Sequence, residues 1–95
     1  MIVVRDVFQA KYGKGSELVK MLKEVSMEAT ALKFDRVLTD ASGPFFTIVT
    51  ERTVESLAAW EKERDMLFSE PKFGEWFEKM MPLVESGSRE FFNIE

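Results

Sequence analysis

The stretch IVVRDVFQAKYGKGSEL, residues 2–18, decides the fold of this chain. Residues 2–10 are rich in β-branched and aromatic side chains and contain no turn residue, so they predict a strand. Two glycines then interrupt the strand pattern. Ser16 is expected to cap a helix after them, because its hydroxyl can accept a hydrogen bond from an N–H of the first turn. The stretch therefore predicts a strand, a tight turn and a helix in succession.

Apolar residues recur in the predicted helix at alternating spacings of four and three, which is the period of one helix face. They are Leu18, Leu22, Val25, Ala29 and Leu32. Two more strands are predicted after the helix, over residues 34–41 and 45–52. The turn between them contains Gly43 and Pro44, which favour a reversal of the chain, so these strands form an antiparallel hairpin.

The second half of the chain predicts an interrupted helix and a last strand. Thr53 is expected to cap a helix that carries Leu57, Trp60, Arg64 and Leu67 along one side. Pro71 interrupts this helix, since the residue before a proline is disfavoured in the α region. The helical pattern resumes over residues 73–81, Gly87 marks a turn, and residues 89–95 form the fourth strand. The order β-α-β-β-α-β predicts one ferredoxin-like α+β domain, residues 1–95.

The composition limits the chemistry of this globular chain. It contains no Cys and no His, which excludes disulfides, thiolate nucleophiles, zinc fingers, Ser-His-Asp triads and haem ligation through either residue. The net charge is −4 with scattered Lys and Arg, so nucleic acid is not an expected partner. Neither a signal peptide nor an apolar run of about 20 residues is found, and we expect a cytoplasmic protein without a membrane partner. No metal or other cofactor is predicted.

The predicted strands carry apolar residues on both faces of the sheet. An antiparallel sheet with helices on one face and water on the other should alternate apolar and polar residues. Residues 2–4, 45–49 and 91–94 do not follow that alternation. Two helices cover one face, and the other would remain a large apolar patch, which monomers avoid. We therefore predict a homodimer through the sheet face. The alternative is that residues 73–83 wrap the second face.

Two segments carry a resemblance to a known group of proteins. One is residues 8–18, with their Gly-Lys-Gly turn, and the other is FFTIVTERTVESLAAW, residues 45–60. With this element order the chain resembles the dimeric α/β-barrel superfamily, which includes NIPSNAP-like and antibiotic-biosynthesis-monooxygenase-like proteins. Arg5 in the first strand is closer to the NIPSNAP side, whereas Tyr12 stands where such turns usually carry Pro.

The resemblance implies a dimeric barrel in which two sheets close on each other. Relatives of this fold include cofactor-independent monooxygenases, haem-degrading enzymes, dismutase-like enzymes and many small proteins with no assigned activity. The haem degraders rely on a His, which this chain lacks.

Five residues are candidates for binding a ligand in a cleft between helices and sheet. Trp60 and Trp76 lie on apolar helix faces and could stack on a flat ligand, although a Trp at helical spacing also suits a core. Arg64 interrupts the stripe of Trp60, and it could bind an anion or extend to solvent along its aliphatic stem. Tyr12 could contribute a phenol at the cleft mouth. Arg36 could bind a carboxylate or enolate.

The arginines in the strands could together form a polar pocket that binds a carboxylate or enolate, and they also have a structural interpretation, which we favour. Arg5, Arg36, Arg52 and Arg89 could form ion pairs with Asp6, Asp35 and Glu51 at the sheet edge or dimer rim, where charges block edge pairing. Three functions therefore remain open. The first is a dimer that binds a small apolar or aromatic, acidic molecule. The second is a cofactor-independent monooxygenase, in which the protein orients the substrate and stabilises negative charge. The third is a purely structural or interaction module.

Overall fold

The computed structural model describes residues 1–25 and 33–95 of the chain. Its elements are β1 (Ile2–Ala10), α1 (Gly15–Glu24), β2 (Arg36–Thr39), β3 (Thr47–Val54), α2 (Leu57–Phe68), α3 (Pro71–Met80), a 3-10 turn (Met81–Leu83) and β4 (Val84–Asn93). The four strands form one antiparallel sheet in the order β2-β3-β1-β4. The α+β, ferredoxin-like fold is confirmed, with the second helical region divided into α2 and α3.

The hydrophobic core lies between the sheet and the helices. Its buried members are Ala10, Leu18, Leu22, Ile48, Met80 and Leu83. Side chains alternate between the two faces of a strand, so Ala10 and Ile48 show that the even-numbered residues of β1 and β3 face the helices. The molecule is 18 Å thick in its thinnest direction, which accommodates the sheet and a single layer of helices.

The opposite face of the sheet, called the open face below, is covered by none of the described elements. The pairing register assigns to it Val3, Arg5, Val7, Gln9, Arg36, Leu38, Thr47, Val49, Glu51, Thr53, Ser86, Ser88, Glu90 and Phe92. The alternative that residues 73–83 wrap this face is wrong. Met80 and Leu83 belong to the core on the helix side.

Both predicted helix caps are wrong. Helix α1 begins at Gly15, with Lys14 as its N-cap and Ser16 already inside the helix. The turn closes early because the Lys14 N–H donates to the Lys11 carbonyl at 2.8 Å. Thr53 lies in β3, opposite Val3. Ser56 caps α2 instead, and its Oγ accepts from the Ala59 N–H at 3.1 Å.

The predicted bounds of the second, third and fourth strands are also wrong. The second strand is shorter than predicted, spanning Arg36–Thr39. The third begins at Thr47 because Phe46 has a φ of 58°, in the left-handed region that a strand does not use. The fourth begins at Val84, and Gly87 pairs with Phe8 inside the strand instead of turning the chain. A Cβ at Gly87 would lie 3.2 Å from the Val7 carbonyl oxygen, so this glycine permits close strand approach.

Other predictions are confirmed. Strand β1 has the predicted bounds, Ile2–Ala10. Leu18, Leu22 and Val25 are buried as the helical stripe requires, whereas Ala29 and Leu32 lie outside the described residues. Pro71 occupies the first turn of α3, where a missing N–H has no cost.

Among the described helices, none is long and apolar enough to cross a membrane.

Candidate functional site

A cavity of about 170 Å³ lies between the sheet and helices α2 and α3. We call it the helix–sheet cavity. Its sheet side is formed by Asp6, Phe8, Arg52 and Arg89. Its helix side is largely aromatic, with Trp60, Phe68, Phe73, Trp76 and Phe77. The cavity therefore combines apolar walls with a small set of charged groups, which is the usual composition of a small-molecule site.

Trp60 lies at the centre of the contacts between α2 and the sheet. Its ring is 5.0 Å from that of Phe91 in an edge-on arrangement. The guanidinium carbons of Arg64 and Arg89 lie 5.2 and 5.0 Å from the centroid of the Trp60 ring. Both distances are within the range of cation–π attraction. Trp60 therefore holds two arginines in place beside the cavity.

The arginines of the cavity differ in their acidic partners. Arg89 donates to both carboxylate oxygens of Asp6, at 2.6 and 3.4 Å, from the strand position directly opposite. Arg52 forms an ion pair with Glu63 of α2.

The partner of Arg64 is Asp65, at 3.3 Å. It is the next residue in the chain, and its side chain is 72% exposed. An exposed pair of this kind contributes little free energy. Of the three cavity arginines, Arg64 therefore has the most weakly held carboxylate.

Trp76 connects α3 to α1. Its indole N–H donates to the Met21 carbonyl at 3.2 Å, and its ring stacks on Phe73 with 5.8 Å between the ring centroids. Because the indole N–H is already paired, Trp76 can offer a ligand its ring surface but no further donor.

Within residues 1–25 and 33–95, no group of three or more carboxylates could hold a metal ion. The acidic residues of the cavity side are each paired with an arginine.

Solved structures of other proteins share this architecture. An uncharacterised NIPSNAP domain protein from Burkholderia xenovorans superposes with a TM-score of 0.89 over 100% of this chain and 95% of its own, at 16% identity. A NIPSNAP family protein from Agrobacterium tumefaciens gives 0.87 over 99% and 85%, also at 16%. The chain has the fold of the NIPSNAP domain proteins.

A provisionally assigned antibiotic biosynthesis monooxygenase from Deinococcus radiodurans is similar at a lower TM-score of 0.66, with 14% identity over 100% of this chain and 93% of its own. No protein-family model matches the sequence, and no curated protein matches it. At these identities, the property shared with the solved structures is the NIPSNAP-type fold.

On this fold, the five predicted ligand contacts fall in three places. Trp60, Arg64 and Trp76 line the helix–sheet cavity. Arg36 lies on the open face, where it donates to Glu51 at 2.6 Å. Tyr12 is 81% exposed and packs edge-on against Phe46, with the ring centroids 5.0 Å apart. The structure thus brings three of the five together and separates the other two from them.

The sequence interpretation considered Arg52 and Arg89 among the strand arginines but favoured ion pairs for them, and it did not select Asp6 as a ligand contact. All three face the helices and line the cavity. The signal was present in β1, where Asp6 shares the even-numbered face with Phe8 and Ala10. Predicting Asp6 as a cavity residue requires knowing which face of β1 meets the helices. A shift of one residue in the strand register reverses that assignment.

Proposed function

We propose that the chain forms a homodimer and binds a small aromatic or apolar carboxylic acid in the helix–sheet cavity. The observation that carries this proposal is an aromatic cavity whose charged lining consists of three arginines and one aspartate. Glu63 and Asp65, which pair with Arg52 and Arg64, do not line the cavity. The groups that face a ligand therefore have a positive excess, whereas the whole chain has a net charge of −4. An anion is therefore favoured locally on a protein that repels anions overall.

Arg64 is the proposed partner of the ligand carboxylate. Asp65, its acidic neighbour, is held only by an exposed contact at 3.3 Å, so a ligand carboxylate can take its place. A guanidinium binds a carboxylate through two parallel hydrogen bonds. The stacking of Arg64 on Trp60 restricts the guanidinium before the ligand arrives, which lowers the entropy lost on binding.

The volume of the cavity suits one aromatic ring. It measures about 170 Å³, and an engineered apolar cavity of about 150 Å³ is known to bind benzene. The rings of Phe73, Trp76 and Phe77 offer flat apolar surface along one side. A benzoate-sized acid is therefore the appropriate first probe.

The homodimer is supported by the open face. Leu38 and Phe92 on this face are 36% and 48% exposed, and Val3 and Val7 lie between them in the register. A second copy packed sheet to sheet would remove this apolar surface from water. The proposal concerns the side of the sheet opposite the cavity, so assembly leaves the ligand site accessible.

Isothermal titration calorimetry with benzoate and its neutral analogue benzamide tests the binding proposal. We expect benzoate to bind about tenfold or more tightly than benzamide, because a charge-assisted bidentate contact is stronger than a neutral one. The variant Arg64→Gln should lose this preference. Lys62→Gln removes a positive charge from the exposed side of the same helix and should retain it. Equal benzoate affinity in Arg64→Gln would contradict the assignment of Arg64.

A screen of apolar and aromatic acids by thermal shift covers ligands other than benzoate. A bound ligand raises the melting temperature by mass action. If no acid raises it, the binding proposal fails and the purely structural or interaction module becomes the better interpretation.

A cofactor-independent monooxygenase is the second candidate. It is supported by Asp6, a carboxylate in the cavity that could accept a proton from an enolisable substrate, and by the similarity in fold to the D. radiodurans protein. In such a reaction an anthrone-type substrate and O₂ give a quinone and water. Oxygen consumption that depends on the substrate and is lost in Asp6→Asn would support it. No consumption above the uncatalysed rate would exclude this substrate class.

A further inference from the structure

A second concave surface lies next to the helix–sheet cavity. It has a volume of about 270 Å³ and is lined by Asp6, Phe8, Gly87, Ser88 and Arg89. Asp6, Phe8 and Arg89 also line the helix–sheet cavity, so the two spaces meet along these three residues. We call the second surface the outer groove.

The outer groove is formed at the one position of β4 where a side chain is missing on the helix side of the sheet. Helices α1 and α2 pack over β3, and β4 lies two strands away at the edge of the sheet. Gly87 is directly opposite Phe8 in this edge strand. The next residues of β4 on the same side, Arg89 and Phe91, carry large side chains that contact Trp60. Gly87 has none, so the surface beside Phe8 is left open to solvent.

The contact that the outer groove offers is the ring of Phe8. A Cβ added to Gly87 would lie 3.8 Å from Phe8 Cδ1, which is ordinary van der Waals contact between carbon atoms. An apolar group of a ligand can make the same contact, because the Phe8 side chain is only half-buried.

The charged residues beside the groove do not require a polar ligand group. Arg89 donates to both carboxylate oxygens of Asp6, so each satisfies the other. The contact left for a ligand at this point is therefore apolar.

The positions of the two spaces give a bound ligand a direction. The helix–sheet cavity has room for one aromatic ring, and Arg64 on its helix side is the proposed partner of the carboxylate. Arg64 does not line the outer groove, which lies on the strand side. A group attached to the ring away from the carboxylate would therefore pass Phe8 and enter the outer groove.

We infer that the ligand is an aromatic carboxylic acid that carries a second apolar group, such as a short alkyl chain, and that Gly87 determines the specificity for this group. The inference rests on the ligand-binding part of the proposed function and narrows its class of ligand. The ring occupies the helix–sheet cavity, and the chain lies against Phe8 in the space that a side chain at residue 87 would take.

A series of alkylated benzoates tests the inference by isothermal titration calorimetry. Benzoate is compared with its ethyl, propyl and butyl derivatives, substituted at ring position 3 or 4. In the better of the two positions, each added methylene should raise the affinity by about two- to fourfold, because it is removed from water. The butyl derivative should therefore bind about tenfold or more tightly than benzoate.

The variant Gly87→Ala tests the assignment of the chain to the outer groove. It should bind benzoate within about twofold of the parent but bind the butyl derivative about threefold or more weakly, since the new methyl group takes up space beside Phe8. Gly74→Ala is the matched control. Its Cβ would meet no atom within 4 Å, and Gly74 lines neither space, so this variant should retain the full gain from the chain. Circular dichroism establishes that both variants are folded.

Nuclear magnetic resonance on the parent chain gives an independent measurement if Gly87→Ala does not fold. The butyl derivative should shift the amide signals of Gly87 and Ser88 more than benzoate does. The signal of Gly74, in α3, should respond equally to both acids.

The outcomes distinguish the outer groove from the ligand site itself. If benzoate binds and neither alkyl series binds more tightly, the second apolar group is overturned and the proposed site stands. An undiminished gain in folded Gly87→Ala, or amide signals of Gly87 and Ser88 that do not respond to the chain, would overturn the role of Gly87. If no acid of either series binds, the inference and the ligand-binding proposal fail together.

Discussion

Gly87 shows how one residue determines the approach of two strands. It faces Phe8 across the β1–β4 pair, and a Cβ added to it would lie 3.2 Å from the Val7 carbonyl oxygen and 3.8 Å from Phe8 Cδ1. The carbonyl belongs to the central strand of the sheet and cannot move freely. A side chain at this position would therefore press β4 away from β1, on the side of the sheet that forms the cavity.

Gly87→Ala should destabilise the protein, and Gly74→Ala provides its matched comparison. Gly74 lies in α3, where a Cβ would meet no atom within 4 Å. Replacing it should stabilise the fold by about 0.5–1 kcal/mol, because alanine favours the helix. We expect Gly87→Ala to destabilise it by about 1–2 kcal/mol through overpacking. Urea denaturation followed by circular dichroism measures both, and equal effects from the two substitutions would contradict the close approach.

Trp60 determines the site in a comparable way. It contacts residues of two elements, since Arg64 is on the same helix while Arg89 and Phe91 come from β4. The position of Arg64 therefore depends on the register of β4 as well as on the helix. The proposed ligand-binding role of Arg64 therefore depends on the sheet as well as on α2.

Helix α2 is held less firmly than the other helices. None of its residues is buried, whereas α1 contributes Leu18 and Leu22 to the core and α3 contributes Met80. Its attachment relies on the Ser56 cap, on Trp60 and on the ion pair between Arg52 and Glu63. An element with few buried apolar contacts opens more readily than the rest of a fold.

Ser56→Ala should therefore destabilise α2 more than Thr53→Ala does. The Ser56 hydroxyl accepts the Ala59 N–H, and loss of such a cap costs about 1 kcal/mol. Thr53 lies in β3, and its hydroxyl donates to Asp35 at 3.0 Å on an exposed surface, so its loss should cost less than about 0.5 kcal/mol. Amide hydrogen exchange should show faster exchange within α2 for Ser56→Ala alone. Faster exchange in α2 for Thr53→Ala would restore Thr53 as the cap.

The sequence predicted elements well where one local pattern decides the structure. Strand β1 has no competing turn residue, and Pro71 ends one helix and begins another through its own ring. Prediction failed where contacts between residues distant in sequence determine which element a residue belongs to. Thr53 and Ser56 are both good caps, and only the pairing of Thr53 with Val3 keeps it in the sheet. The left-handed backbone conformation of Phe46 could not be predicted either, because a phenylalanine side chain does not favour that conformation.

The candidate site divides in the same way. Trp60, Arg64 and Trp76 could be selected from helical spacing, and they line the cavity. Asp6, Arg52 and Arg89 reach it through cross-strand register, which a single sequence does not specify. Arg36 and Tyr12 are near the ends of strands, as the prediction required, but Arg36 is on the open face and Tyr12 packs against Phe46 at the end of the sheet.

At the scale of the whole molecule, the two faces of the sheet differ in the residues that they carry. One face forms the core and the helix–sheet cavity, and the other carries Arg5, Arg36, Glu51 and Glu90 between apolar residues. The apolar residues on the open face are evidence for the proposed homodimer. Because assembly already explains them, they are not also evidence for a ligand site. The case for a ligand rests on the cavity side alone, and the two proposals can be tested separately.

The adjacent pair Phe91 and Phe92 provides that separation, because successive strand residues point to opposite faces. Phe91 contacts Trp60 on the cavity side, and Phe92 lies opposite Val3 on the open face, 48% exposed. Phe92→Ala should weaken dimerisation by about tenfold, since a large aromatic side chain that is buried in an interface can contribute more than 1 kcal/mol. Its affinity for a cavity ligand such as benzoate should not change. Phe91→Ala should dimerise normally and bind benzoate more weakly, because Trp60 and its two arginines lose support. Sedimentation and calorimetry on both variants would contradict the assignment of faces if the two effects were exchanged or if one variant lost both properties while still folded.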